Sequence, residues 1–333
     1  MKNILYLFAL ILCACSPSDN KILVVNSGET QGTYYHIKYL SENGENYKSQ
    51  IDSILLEVDS SLSIYKGYSL ISKLNKGEDV KTDTLFNAVF LGAQKVFQES
   101  EGSFDCSVSP LVRAWGFYKN KLGDSLVIDS SKFRKILPYV GFDEISLFAD
   151  SLVLPKGMSL DFNSIAQGYT VDVIAQFLLS KGDSNHLVEV GGELLAKGRN
   201  ADGNIWRVGV DKPSEDIDMQ ERFQFILDLE DKALATSGNY RKFYEQDGVK
   251  YAHTINPFTG FPAQNRLLSV TVIHDNCMLA DAYATAFMVM GVKKTKQLVD
   301  QLDDELEIYL VYTDKIGDWK TFISPKMKQR IVN

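Results

Sequence analysis

The chain has 333 residues, 45% of them hydrophobic and 23% charged, the composition of a folded globular protein and not of a disordered or fibrous one. A net charge of -8 offers nucleic acid no general electrostatic attraction, so no nucleic-acid partner is expected. The length allows one large domain or two moderate ones, and no low-complexity linker or tandem repeat divides it.

The first feature along the chain is a processing signal. Lys2 precedes an uncharged run over 4–15, shorter than the roughly 20 apolar residues of a spanning helix and suited to the h-region of a secretory signal peptide. Its end, Leu12-Cys13-Ala14-Cys15, resembles a bacterial lipobox, in which the last cysteine is acylated (palmitate) and becomes the new N-terminus. The other reading is a plain signal peptide that contains cysteines. A small residue before Cys15 and a polar tether after it favour the lipoprotein. The expected organisation is a signal peptide at 1–14, a lipidated tether at 15–21 and one domain at 22–333. Such a protein is a membrane-anchored lipoprotein of the cell envelope, facing the periplasm or the cell exterior. Of the remaining cysteines, Cys106 and Cys277 either pair in an oxidising compartment or stay as unpaired buried thiols.

Residues 22–40 read as two strands around a glycine-containing turn, with alternation at 35–39. Ile51, Ile54, Leu55 and Val58 have helical spacing. Thr84 is the expected cap of a helix reaching about Ser100, and Ser131 opens a short helix over 133–137. Residues 145–154 suggest a strand pair, 165–181 a strong helix stopped by Gly182, and 186–190, 194–198, 206–210 and 223–229 four strands. Residues 267–274 form a β-branched strand, 281–290 a helix closed by Gly291, and 293–302 a further helix. Strands at 306–312 and 319–323 finish the chain. Strands and helices mix without strict alternation, which predicts an α+β fold in one large domain.

Several polar segments sit between these elements. Asp281 and Thr285 lie four apart on a predicted helix and share a face, offering two hard oxygen donors suited to Mg²⁺. Alone, the pair reads first as an ordinary N-terminal-turn Asp with a helix Thr. Asp161 precedes the 165–181 helix, as an N-cap or as a buried carboxylate beside a ligand. His253 opens the tight segment HTINPFTG, where Asn256-Pro257 and Thr259-Gly260 preset a loop around one histidine, a reasonable place for a general base or a plain turn. The segment ALATSG at 233–238 is read as a phosphate-cradling loop after a strand. Tyr65 offers a ring for stacking, and Ser103, Phe104 and Asp105 lie in a loop of small and polar residues. His36, His186, His253 and His274 lack metal-ligand spacing. No P-loop, dinucleotide fingerprint, HExxH or GxSxG is present.

The order and wording of these pieces resemble one family. GTYYHIKY (32–39), LSIY (62–65), GSFDCSVSPLVRAWGF (102–117), DFNSIAQGYTVD (161–172), LVEVGGELLAKG (187–198), ALATSGNYR (233–241), HTINPFTGFP (253–262) and CMLADAYATA (277–286) are similar to the ApbE family of flavin transferases, over about 30–290. The resemblance implies FAD as substrate, Mg²⁺ as cofactor, and transfer of FMN to a Ser or Thr hydroxyl with AMP leaving. The acceptor would carry a motif like Asp-x-x-Ser/Thr-Gly-Ala-Ser/Thr, as in subunits of membrane redox pumps. It further implies Mg²⁺ held by Asp281, Thr285 and an oxygen of Ser164, with His253 as catalytic base. Gln31, Tyr65, Ser103, Phe104, Asp105, Asp161, Gln167, His253 and Ile255 would border the nucleotide, the rings of Tyr65 and Phe104 facing flavin or adenine. Gln167 stands where the family commonly has lysine, and Ser164 where it often has alanine, so a metal contact at Ser164 would use its carbonyl. The alternatives are an FAD pyrophosphatase, with water replacing the protein hydroxyl, and a non-catalytic flavin-binding lipoprotein of the periplasm.

Overall fold

The computed structural model describes residues 21–118, 130–212, 222–239, 243–246, 249–302 and 305–332. The signal peptide, Cys15 and all of the tether except Lys21 lie outside the described residues, as do Tyr240 and Arg241 of the ALATSGNYR segment.

Fifteen strands and eight helices are described. The strands are β1 (Ile22–Thr30), β2 (Thr33–Ser41), β3 (Ser146–Phe148), β4 (Ser151–Val153), β5 (His186–Val190), β6 (Glu193–Lys197), β7 (Trp206–Asp211), β8 (Phe223–Leu229), β9 (Lys232–Gly238), β10 (Phe243–Gln246), β11 (Val249–Ala252), β12 (Leu267–His274), β13 (Glu307–Thr313), β14 (Trp319–Ile323) and β15 (Ile331–Val332). The helices are α1 (Lys48–Leu62), α2 (Leu70–Asn75), α3 (Thr84–Glu99), α4 (Ser109–Trp115), α5 (Ser130–Ile136), α6 (Ala166–Ser180), α7 (Cys277–Gln301) and α8 (Pro325–Gln329).

Eight strands form one antiparallel sheet in the order β1-β2-β5-β6-β9-β12-β13-β14. Helices α1, α3, α6 and α7 cover one face, where Phe86, Phe90, Phe162, Val270, Val272, Tyr283 and Phe287 are fully or nearly fully buried. A second sheet, β15-β8-β7, covers part of the other face through Trp206, Val208, Leu227 and Leu229 against Ala196, Ile273 and Val311. Strand β12 is therefore buried on both sides, with Leu267, Val270, Val272 and Ile273 in the cores and small polar side chains at Ser269 and Thr271. A satellite core of Leu111, Trp115, Phe133 and Ile255 joins α4 and α5 to the segment that follows β11. The α+β fold in one domain is thus borne out.

Four local expectations are corrected. Helix α3 is capped by Asp83, whose carboxylate accepts the Phe86 N–H, because Asp83 rather than Thr84 has the extended backbone a cap requires. Segment 233–238 is a central strand, not a loop: its small residues fit between β6 and β12. Helix α7 starts four residues before Asp281, capped by Asn276, so Asp281 sits in its second turn. Gly291 (φ 72°, ψ 171°) breaks the helical backbone without ending the run, so the two predicted helices are consecutive segments across one kink. Cys106 and Cys277 are both buried and unpaired.

Candidate active site

The site is built where α6 meets α7. Gly168 permits the contact: a Cβ there would lie 2.4 Å from the Cys277 carbonyl oxygen and 2.9 Å from Asp281 Cβ. The close approach lets the Gly168 N–H donate to Asp281 Oδ2 at 3.1 Å. Asp172, one turn further along α6, accepts the Cys277 and Met278 N–H groups at 2.9 and 2.8 Å, satisfying two donors at the N-terminus of α7. Both carboxyls are held above the usual range. Burial dominates in each, raising Asp172 to about 6 and Asp281 to about 7, with Asp172 adding to the rise at Asp281.

Thr285, one turn after Asp281, is half-buried, with its hydroxyl 3.4 Å from Ser237 Oγ on β9. Asn239, just beyond β9, accepts from Thr254 Oγ1 at 3.2 Å. His253 precedes that threonine and its side chain is exposed. The following turn is rigid: Asn256 Oδ1 accepts the Phe258 and Thr259 N–H groups, Gly260 takes positive φ, and Trp115 Nε1 donates to the Gly260 carbonyl at 2.9 Å. Ile255 is 5% exposed, within the satellite core, so its side chain anchors the loop.

The segment before α6 carries a second cluster. Asp161 is buried, accepting the Asn163 N–H at 2.8 Å through Oδ1 and the Tyr118 hydroxyl at 2.6 Å through Oδ2. Burial pushes its pKa up, and the Tyr118 bond opposes that. Tyr65, 63% exposed, accepts from Asn163 Nδ2 at 3.2 Å and meets the Tyr118 ring edge-to-face at 6.2 Å. Ser164 is half-buried beside the Cys106 thiol. Asp105 caps the turn at Cys106–Val108, accepting from Ser107 N and Oγ at 2.6 Å each, and burial raises it to about 6. Asp105 also borders a cleft of about 290 Å³ between Gly102, Gly141 and Phe258.

Gln31 (φ 52°) and Gly32 (φ 73°) form the left-handed two-residue turn between β1 and β2. Gln31 Nε2 donates to Thr170 Oγ1 on α6 at 2.9 Å. Gln167 abuts Gly191, where a Cβ would come within 2.7 Å of Gln167 Nε2, so the β1–β2 turn, α6 and the β5–β6 turn converge. Ser103 is buried. Phe104 is 1% exposed in the main core, so its ring presents no face to a ligand. Three polar participants were not singled out from sequence. Asn163 and Asp172 lie inside the segment DFNSIAQGYTVD, and Tyr118 directly follows GSFDCSVSPLVRAWGF. Nothing in spacing separates their side chains from ordinary helix and loop polar groups.

The donor chemistry suits a hard cation. Asp281 is a buried carboxylate with one main-chain donor, Thr285 adds a hydroxyl, and carbonyls preceding α6 are close in sequence to Gly168. Among the described residues no group of three His, Cys, Asp or Glu side chains could hold a metal ion. A carboxylate and a hydroxyl are oxygen donors of the kind Mg²⁺ accepts alongside waters and phosphate oxygens.

The ApbE family model matches residues 31–310. The chain is 38% identical over 308 residues to the FAD:protein FMN transferase of Vibrio cholerae, covering 88% of this chain and 89% of that protein. It is 32% identical over 318 residues to the Haemophilus influenzae protein of the same name, covering 91% and 90%. Among solved structures, the flavin transferase ApbE from Vibrio cholerae superposes with a TM-score of 0.83 at 34% identity, covering 93% of this chain and 99% of that one. The apo form of the Pseudomonas stutzeri flavinyl transferase ApbE gives 0.82 at 29% identity, covering 93% and 97%.

Proposed function

The chain belongs to the ApbE family, and from that premise we propose that it is an FAD:protein FMN transferase acting on a Ser or Thr hydroxyl of a target protein. The acceptor oxygen forms a bond to the phosphorus of the FMN half. The bond from that phosphorus to the bridging oxygen breaks, AMP leaves with the oxygen, and the acceptor proton passes to His253. The observation that carries this reading is a contrast in exposure. Asp281 is buried, with Thr285 one turn later bonded to Ser237 on β9, while His253 is exposed and its neighbour Thr254 donates to Asn239 just beyond the same strand. A base that must meet a hydroxyl on another protein belongs at the surface. Oxygen ligands for a phosphate-bound cation belong in a low-dielectric corner.

Asp281, Thr285 and a Ser164 oxygen would hold Mg²⁺, which when bound neutralises charge on the diphosphate. Gln31, Tyr65, Asp105, Asp161 and Gln167 would orient FAD, with Ser103 and Phe104 contributing through main-chain groups. Ile255 fixes the base-bearing loop. The acceptor motif would be of the Asp-x-x-Ser/Thr-Gly-Ala-Ser/Thr type. The lipid anchor at Cys15 would set the reaction at the cell envelope. No helix among the described residues is long and apolar enough to cross a membrane.

The test is to incubate the mature protein with FAD, Mg²⁺ and a protein carrying that motif. In-gel flavin fluorescence on the acceptor is the expected result. Release of FMN and AMP without labelling would identify a pyrophosphatase instead. FAD that binds and stays intact in every mixture would leave only a flavin-binding protein.

A further inference from the structure

Asp161, expected to accept a hydrogen bond from the nucleotide, has both carboxylate oxygens engaged within the chain. Oδ1 accepts the Asn163 N–H and Oδ2 the Tyr118 hydroxyl, the latter at 2.6 Å, the length of a charge-assisted bond. The same tyrosine ring meets Tyr65 edge-to-face at 90°, and Tyr65 is tied by its own hydroxyl to Asn163. Tyr118 is half-buried, with its hydroxyl also 3.1 Å from Ser109 Oγ. One side chain therefore holds the acidic acceptor and the stacking ring together. A carboxylate this buried has little water to replace a lost partner.

We infer that Tyr118 is a positioning residue that latches the nucleotide site of the free protein, its hydroxyl standing in for a nucleotide hydroxyl or amine donor on Asp161. Incoming FAD takes over the Asp161 Oδ2 bond and the Tyr65 face, and Tyr118 gives up both. The latch keeps Asp161 satisfied and oriented between turnovers, at the expense of ground-state affinity for FAD. This deepens the proposed function and rests on its placement of the nucleotide at Asp161.

Replacing Tyr118 by Phe keeps the ring and removes only the donor. The expected result is FAD binding tightened about tenfold, the worth of one hydrogen bond to a charged group. The change should appear in Kd and KM and far less in kcat. Saturating FAD should also raise the Tm of Tyr118→Phe more than that of the unaltered protein, because the ligand supplies the missing partner. A purely structural Tyr118 would lower Tm equally with and without FAD and leave the KM-to-kcat balance unmoved, which would overturn the inference, as would weaker FAD binding. Asp161→Asn separates the two levels. If it leaves FAD affinity unchanged, the placement of the nucleotide at Asp161 is wrong. If it weakens binding while Tyr118→Phe does nothing, only the latch fails.

Discussion

The α6–α7 corner and the turn after β11 use similar polar residues in opposite ways. In the corner, Asp281 and Asp172 are sunk against the main chain, accept backbone N–H groups, and are raised in pKa by burial. In the turn, Asn256 organises its own loop, Trp115 and Ile255 pin it to a small satellite core, and His253 is left exposed. The corner is fixed by helix packing, the turn by its own Asn256 bonds, the Trp115 bond to Gly260 and the seating of Ile255 and Phe261 in the satellite core. A cation site needs donors that do not move and little competing water. A base for a partner's hydroxyl needs access, with only its direction constrained.

The largest expected effects break the comparison from both sides. Asp281→Asn should lower transfer at least about 100-fold, with Mg²⁺ affinity lost in parallel. His253→Ala should lower transfer about 100- to 10,000-fold while Mg²⁺ and FAD affinities stay near their original values. Calorimetric titration of each variant beside the gel assay separates them. If His253→Ala loses Mg²⁺ binding as well, the two regions are one unit and the division fails.

Gly168→Ala probes the corner's packing. A methyl group cannot coexist with a main-chain carbonyl at 2.4 Å, so α6 and α7 must part. Overpacking costs about 1–3 kcal/mol, outweighing the gain of up to about 1 kcal/mol in helix propensity. A Tm lowered by several degrees, with weakened Mg²⁺ binding, is expected in thermal melts. A stabilised variant would mean the helices are not so closely locked.

A pH effect follows from the same burial. The folded pKa of Asp281 is raised from 3.8 to about 7, so the folded chain holds a proton that the unfolded chain releases first. The resulting stability is fully present below about pH 4 and is lost as pH rises through 7. A cation needs the carboxylate, so Mg²⁺ should restore more stability as pH rises across that window. Melts with and without Mg²⁺ between about pH 5 and 8 read this directly. A Mg²⁺-induced Tm shift that is flat with pH would remove Asp281 from the metal site.

The contrast between the regions also explains what was legible in the sequence. Apart from β9, the strands of the large sheet and helices α1, α3 and α6 follow hydrophobic spacing, and local periodicity is enough to mark them. The Asp281/Thr285 pair was readable because helical spacing alone places two residues on one face. The status of 233–238 was not, because its small residues are explained only by the strands on either side of it. Phe104 reads as a candidate ligand ring in a polar loop, yet contacts distant in sequence draw it into the core. Tyr118 and Asp172 matter through partners 43 and 105 residues away, a relation no local pattern carries.

The smallest expected effect tests how the exposed base is aimed. Thr254→Val keeps the shape and removes one hydrogen bond, the 3.2 Å contact to Asn239. Half-buried bonds between neutral groups contribute about 0.5–1.5 kcal/mol, and water can replace part of this one. Global stability and FAD affinity should therefore barely change, because the satellite core still anchors Ile255. Transfer should slow about two- to tenfold, since the residue after His253 loses its bond to Asn239 at the end of β9 and the histidine spends less time facing the phosphorus. Single-turnover labelling of the acceptor at saturating FAD isolates that step. An unchanged rate would mean that the Thr254–Asn239 bond takes no part in aiming the histidine.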